Sequence, residues 1–313
     1  MIIKRKVREE VFGAVPRKLL KAELTDDKIL CETRHGGNLV YDITYKNSPN
    51  LMQEIGRLRE LAFRGAGGGT GHAVDIDEFD ICANPFHQLL VWSPKDKQII
   101  SSYRYIFGQN IKVVGTDIHS PTAKLFAFSD EFIKDYLPHS VELGRSFVQT
   151  QYQASRKNIF ALDNIWDGLG ALLGNHPEIK YFYGKMTMYR SYNKLARDLV
   201  LFFLKKHFPA KYPLMTPHKP LAFFHNETML SSILTAADFK EDFKILNREV
   251  GLLQCRIPPL VNIYMGLSPS LQCFGTADNF DFGDVEETAI LVKIEDIYEE
   301  KKERYIKKQA FCH

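Results

Sequence analysis

Hydrophobic and polar residues along the chain follow two periods, which predict strands and helices in a mixed order. Apolar residues that alternate with polar ones or run together predict strands over 28–33, 38–44, 88–92, 99–107, 141–150, 179–188, 260–265, 271–274 and 288–292. Apolar residues at helical spacing predict helices over 51–64, 159–173 and 192–208, and the charged tail predicts another over 294–309. Hairpins near the N-terminus and strand–helix alternation in the middle indicate an α/β fold with a mixed central sheet flanked by helices.

The distribution of breaks along the chain favours one domain over 1–313. The predicted strands of 1–50 form an N-terminal extension to the central α/β region. Four prolines at 209, 213, 217 and 220 open a charged segment that we interpret as a helical insertion over about 209–255. No linker-like stretch divides the rest of the chain, so a second domain is not expected.

The composition of the chain excludes several classes of protein function. A net charge of +3 is too small for a nucleic-acid-binding protein. The five cysteines are odd in number and contain no CxxC, so we expect neither a disulfide framework nor a metal site, and a reducing, cytoplasmic environment. No apolar run has the length of a membrane span. Basic residues near both ends, at 4–8 and 304–308, leave open either peripheral membrane contact or plain solvated faces.

A first group of candidate site residues combines acidic and basic side chains. Four carboxylates crowd into segment 75–80, and their mutual repulsion is costly unless cations lie nearby. The candidates for substrate binding are Arg59, Phe63, Asp77, Asp80 and Arg104. An acidic surface loop is the alternative interpretation. A calcium loop is disfavoured because the EF-hand spacing is absent.

Glu142 and Arg145 form a second candidate group at the start of a predicted strand. Their spacing places the two side chains on opposite faces of a regular strand unless a bulge intervenes, and Gly144 between them is compatible with a bulge. A glutamate in a partly apolar site can accept a proton from an amine. The alternative is that the two residues form a structural ion pair.

The polar loop 151–158 is a third candidate, since it joins a predicted strand to a predicted helix. Free N–H groups at a helix N-terminus favour anions such as a pyrophosphate. Gln153, Ser155, Arg156 and Lys157 are the candidate donor-binding residues there.

Several segments in a fixed order resemble a known family. They are RLRELAFR (57–64), DIDEFD (75–80), SSYR (101–104), ELGRSFV (142–148), ALDNIWDGLGALL (161–173) and IPPLVNIYMGLSP (257–269). The sequence looks like the hemolysin-like N-acyltransferases of the GNAT fold, which include the ornithine-lipid and glycine-lipid N-acyltransferases. It is distantly similar to the acyl-homoserine-lactone synthases.

This resemblance implies a GNAT acyltransferase fold and a role in lipid biosynthesis. It implies an acyl thioester as donor, typically a 3-hydroxyacyl chain on acyl carrier protein, with no permanently bound cofactor. It also places Arg59, Phe63, Asp77, Asp80, Arg104, Glu142 and Arg145 at family positions. The loop 151–158 lacks the glycine pattern of acetyltransferase phosphate loops, which leaves both coenzyme A and a carrier protein possible as donors.

The resulting hypothesis is transfer of an acyl chain to the amine of a small amino acid such as glycine or ornithine. Glu142 is predicted to be the base, backbone N–H groups near Phe147 to polarise the thioester, and apolar residues near Trp166 and Phe182 to line an acyl channel or belong to the core. The alternatives are a signal synthase that acylates another amine, a membrane-active haemolytic protein, and an inactive module that binds acyl thioesters.

Overall fold

A computed structural model describes residues 8–153 and 160–306 of the chain. Its strands are β1 (Ile29–Glu32), β2 (Leu39–Ile43), β3 (His87–Ser93), β4 (Gln98–Phe107), β5 (Val113–Val114), β6 (Asp117–Ile118), β7 (Phe126–Phe128), β8 (Ser140–Val148), β9 (Tyr181–Met188), β10 (Met215–Pro217), β11 (Gln272–Asn279) and β12 (Val285–Lys293). Its helices are α1 (Arg17–Glu23), α2 (Pro49–Ala66), α3 (Glu78–Ile81), α4 (Thr150–Gln153), α5 (Ala161–Asn175), α6 (Lys194–His207), α7 (Glu227–Ile233), α8 (Phe239–Leu252), α9 (Pro259–Met265) and α10 (Glu299–Tyr305).

Eight strands form one mixed sheet in the order β1-β2-β3-β4-β8-β9-β12-β11. Neighbouring strands are antiparallel except for β8 and β9, which run parallel. Helices α5 and α6 pack on one face of the sheet in the largest apolar cluster, and α2 packs on β2 and β3 in a second. The structure is therefore an α/β fold with helices on its central sheet, as the sequence pattern predicted.

Helix α2 carries two of the candidate residues, and its ends are fixed by local chemistry. Pro49 occupies the first turn, where a missing N–H costs nothing. Glu23 accepts hydrogen bonds from the N–H groups of Asn50 and Leu51, which have no partner within the helix. Gly67 ends the helix in the left-handed conformation, with φ at 101°. These ends set the register that buries Arg59 and Phe63.

The parallel strands β8 and β9 pair along only part of their lengths. Their register runs from Ser140 opposite Tyr181 to Leu143 opposite Gly184, and β8 then continues beside β4 as far as Val148. An extra residue on β8 falls between the pairs Ser102–Phe147 and Arg104–Gly144 on β4. Because such a bulge bends a strand, β8 separates from β9 beyond Leu143 and leaves an opening in the middle of the sheet.

Gly184 sits at the last pair before this opening, and we expect a side chain there to force the strands apart. A Cβ on Gly184 would lie 2.3 Å from the backbone oxygen of Leu143, well inside the closest approach of a Cβ to a non-bonded oxygen. Gly184→Ala is expected to lower the free energy of unfolding by about 1–3 kcal/mol, measured by urea denaturation. Gly144→Ala is the matched control, because a Cβ on Gly144 meets nothing within 4 Å. Equal stability of the two variants would contradict this account of the opening.

Two sequence predictions fail in the C-terminal part. Segment 260–265, predicted as a strand, is helix α9, because Pro258 and Pro259 lack N–H groups and set up a helix start. The tail predicted as one helix over 294–309 is a short 3-10 turn, Ile294–Asp296, followed by α10, and residues 307–313 lie outside the described part. The segment predicted as an insertion contains β10, α7 and α8.

Candidate active site

A cavity of about 680 Å³ lies at the opening between β8 and β9. Its walls include residues of α2, β4, β8, β9, the first turn of α9, β12 and the turn before β12. The lining residues include Phe63, Tyr103, Arg104, Thr122, Glu142, Arg145, Tyr152, Gln153, Lys185, Leu260, Phe282 and Glu287. Of the sequence candidates, Phe63, Arg104, Glu142, Arg145 and Gln153 line the cavity directly, while Arg59, Asp77 and Asp80 lie behind its wall.

The cavity reaches both faces of the sheet. Tyr103 and Arg104 are neighbours on β4 and therefore point to opposite faces, yet both line it. The side with Tyr103, Leu162 and Leu260 is apolar, whereas the side with Arg104 carries the charged groups. One cavity thus offers an apolar part and a charged part that meet where β8 and β9 separate.

A buried ion-pair network supports the charged part. Arg59 is fully buried, and its guanidinium donates to Asp80 Oδ2 at 3.1 Å and to Gln88 Oε1 at 2.5 Å. Gln88 in turn donates to the other carboxylate oxygen of Asp80 at 3.1 Å. Asp80 also accepts from the backbone N–H of Asp77, and so closes a capping box at the start of α3. Within the segment interpreted alternatively as an acidic surface loop, Asp75 and Asp80 are therefore buried, whereas Glu78 is exposed.

Arg104 and Arg145 connect this network to the cavity. Arg104 donates to Asp77 at 2.7 Å and to Asp80 at 3.3 Å. Arg145 pairs with Asp75 at 2.9 Å and stacks on the ring of Phe282, with its guanidinium carbon 3.9 Å from the ring centre. Arg145 has a positive φ of 54°, which marks the bulge on β8. The bulge anticipated beside Gly144 is present, with its unusual backbone angle at Arg145.

The arginines set the ionisation of Asp77. Burial alone would raise the pKa of its carboxyl, but the charges of Arg104 and Arg145 outweigh burial and hold the pKa well below the ordinary value of 3.8. Burial alone would lower the pKa of Arg104, but Asp77 and Asp80 hold it above its ordinary value. Asp77 and Arg104 therefore stay charged at neutral pH.

Glu142 lies buried at the point where β8 and β9 separate. Its Oε1 accepts from the backbone N–H and the hydroxyl of Thr122, at 3.0 and 2.7 Å. Its Oε2 accepts from the hydroxyl of Tyr183 at 2.8 Å. The structural ion pair with Arg145 is not formed, because Arg145 turns to Asp75 instead. Glu142 is thus an oriented carboxylate whose hydrogen-bond partners among residues 8–153 and 160–306 are all neutral.

Lys185 and Glu287 are cavity residues that the sequence interpretation did not include. Lys185 Nζ lies 3.2 Å from Glu287 Oε2, and Glu287 also accepts from Thr187 at 3.2 Å and Asn279 at 3.0 Å. Burial alone would raise the pKa of Glu287, but Lys185, Asn279 and Arg145 outweigh it and lower the pKa below 4.5. In the sequence, Glu286 and Glu287 lie at the start of an otherwise apolar strand. This pattern indicates a polar site there, because buried carboxylates require partners.

Three of the four residues predicted to bind the donor, Ser155, Arg156 and Lys157, lie outside the described residues. Gln153 is described: it lines the cavity and donates to the backbone oxygen of Val148 at 2.7 Å.

The predicted acyl channel near Trp166 and Phe182 does not coincide with the cavity. Trp166 on α5 and Phe182 on β9 both pack in the largest apolar cluster. They are core residues, as the alternative interpretation had it.

Within 8–153 and 160–306, no group of three or more His, Cys, Asp or Glu side chains is arranged to hold a metal ion.

The sequence is similar to those of known acyltransferases. Residues 58–162 match the model of the acetyltransferase (GNAT) domain. A glycine N(alpha)-acyltransferase of Phocaeicola vulgatus is 52% identical over 305 residues, covering 95% of this chain and 93% of the relative. A glycine N(alpha)-acyltransferase of Bacteroides thetaiotaomicron is 51% identical over 303 residues, covering 95% of this chain and 90% of the relative. No solved structure matches.

Proposed function

Because the chain belongs to the GNAT acyltransferase family of these two relatives and is an N-acyltransferase, we propose that glycine is its acceptor and a fatty acyl thioester its donor. The product is an N-acylglycine, a precursor for lipid biosynthesis. The acyl chain is proposed to be a 3-hydroxyacyl group carried on acyl carrier protein or coenzyme A. Both relatives bear the name of a glycine acyltransferase, which favours glycine over ornithine.

The observation that carries this proposal is the buried carboxylate of Glu142, which keeps one acceptor position free. A carboxylate has about four acceptor positions on its two oxygens. Hydrogen bonds from Thr122 and Tyr183 fill three of them and fix the orientation of the group. A position on Oε2 is therefore left for an N–H of a substrate. A buried carboxylate with no cationic partner in the described part of the chain is well suited to an ammonium group and then to its proton.

The reaction follows from this placement. Glu142 takes a proton from the glycine ammonium, and the neutral nitrogen attacks the carbonyl carbon of the thioester. As the carbon–sulfur bond breaks and the amide bond forms, the nitrogen loses a second proton, which the leaving thiolate takes up to become the free thiol; the proton held by Glu142 then passes to solvent. Beyond Leu143, where β8 has separated from β9, the edge of β8 opposite β4 offers backbone groups for the donor, including N–H groups near Phe147 that can polarise the carbonyl. The apolar part of the cavity beside Tyr103 and Leu260 receives the acyl chain.

A panel of acceptors tests this proposal. The purified protein is incubated with a long-chain acyl thioester and single amino acids, and free thiol is followed over time. Glycine is expected to give the fastest release, with ornithine and alanine slower. Parallel reactions with S-adenosylmethionine test the signal-synthase alternative. Thiol release with none of these amines, from protein that binds the thioester, would favour the inactive binding module instead.

The haemolytic alternative depends on contact with a membrane. In 8–153 and 160–306, no helix combines the length and apolar character needed to cross a bilayer. A liposome leakage assay compares this alternative with acyl transfer directly. Rapid leakage without thiol release would support it over the enzymatic function.

A further inference from the structure

Lys185 provides a positive charge in the cavity on the same side as Glu142. We propose that the Lys185 ammonium binds the α-carboxylate of the acceptor amino acid and so restricts the enzyme to amines that carry a carboxylate. This inference rests on the proposed function, because it assigns a role to one end of the glycine molecule.

The contacts of Lys185 with the described residues occupy two of its three N–H donors. An ammonium group has three N–H donors. One donates to the backbone oxygen of Pro121 at 2.7 Å, and another faces Glu287 Oε2 at 3.2 Å. The third has no protein partner among the described residues. The side chain is 10% exposed, and it lines the cavity. A buried cation with one unused N–H is suited to an anionic ligand group.

The peptide bond between Pro121 and Thr122 sets the distance between Lys185 and Glu142. The oxygen of Pro121 accepts from Lys185, and the N–H of Thr122 donates to Glu142 at 3.0 Å. The two charged groups are therefore held on opposite sides of one trans peptide unit. An α-amino acid carries its ammonium and its carboxylate on a single carbon, so one small zwitterion can bridge this anion and this cation.

The other cations in the cavity wall are more fully neutralised than Lys185. Arg104 faces Asp77 and Asp80, and Arg145 faces Asp75 and Asp77. Lys185 faces a single carboxylate, Glu287, which Thr187 and Asn279 hold in place. Glu287 therefore acts as a positioning residue for Lys185, and the acceptor carboxylate supplies the second anion.

Glycine and glycinamide test this role, because they have nearly the same size and differ in the carboxylate charge. Wild-type protein and the variants Lys185→Met and Lys185→Arg are assayed with both acceptors by thiol release. Lys185→Met is expected to lower kcat/KM for glycine roughly 10- to 100-fold, mainly through KM, with little change for glycinamide. Lys185→Arg is expected to restore most of the preference for glycine. Lys205→Met, which removes an exposed lysine paired with Glu227, is the matched control.

The ratio of kcat/KM for glycine to kcat/KM for glycinamide decides between the outcomes. An unchanged glycine-to-glycinamide ratio in Lys185→Met, or an equal loss for both acceptors, overturns the inference. If Lys185→Met does not fold, Lys185→Gln gives the same comparison, since its amide still donates to the Pro121 oxygen. Wild-type protein that acylates other amines but neither of these two overturns the proposed function, and the role of Lys185 with it.

Discussion

Replacing Glu142 by Gln is expected to lower the rate of acyl transfer by about 10²- to 10⁴-fold. A glutamine amide keeps the size of the side chain; its oxygen still accepts from Thr122 and its NH2 can donate to the hydroxyl oxygen of Tyr183, but it cannot take up the proton of the ammonium. The loss should therefore appear in kcat, while the KM for the acyl thioester stays close to that of the wild type. Steady-state kinetics with glycine as acceptor measure both quantities.

Glu54→Gln is the control for this substitution. Glu54 is also largely buried and is paired with Arg57, but it does not line the cavity. Its replacement is expected to leave the transfer rate unchanged. A Glu142→Gln variant that keeps the wild-type kcat would remove Glu142 as the proton acceptor and would leave its hydrogen bonds with a purely structural role.

Asp80→Ala is expected to produce the largest loss of stability, about 3–5 kcal/mol in the free energy of unfolding. Asp80 is fully buried and pairs with both Arg59 and Arg104. Its removal leaves two buried guanidinium groups with fewer anionic partners, and the cost of burying a charge is then not offset. The capping hydrogen bond from the Asp77 N–H is lost as well. Urea denaturation monitored by circular dichroism measures the difference.

An aspartate on the surface provides the comparison. Asp117 on β6 is exposed, and Asp117→Ala is expected to change the free energy of unfolding by less than about 0.5 kcal/mol. If Asp80→Ala and Asp117→Ala unfold at the same urea concentration, the network around Arg59 does not stabilise the fold in the way described here.

Local patterns in the sequence were sufficient to predict most of the sheet. Alternating apolar residues and turn signals predicted the hairpin of β3 and β4, and helical spacing predicted α2, α5 and α6 within a few residues of their observed ends. Helix α9 was predicted as a strand because its apolar residues fit both the strand period and the helix period. Its type is decided by Pro258 and Pro259, which start a helix.

The charged cluster could be anticipated because four carboxylates within 75–80 require cations nearby. Its exact pairing could not, since Arg145 pairs with Asp75 only because of the bulge on β8. Lys185 and Glu287 lie about a hundred positions apart and meet through the register of β9 on β12, where Thr187 is opposite Glu287. Such a register depends on the whole sheet and is not encoded by either strand alone.

Mass spectrometry of the product tests the proposed transfer most directly. The protein is incubated with a long-chain acyl thioester and ¹⁵N-glycine, and the reaction is compared with that of Glu142→Gln. The proposed function predicts an N-acylglycine that carries the ¹⁵N label in its amide and forms in step with free thiol, with at least a hundredfold less product from the variant. Thiol release from the wild type without labelled N-acylglycine would contradict acyl transfer to glycine in this cavity.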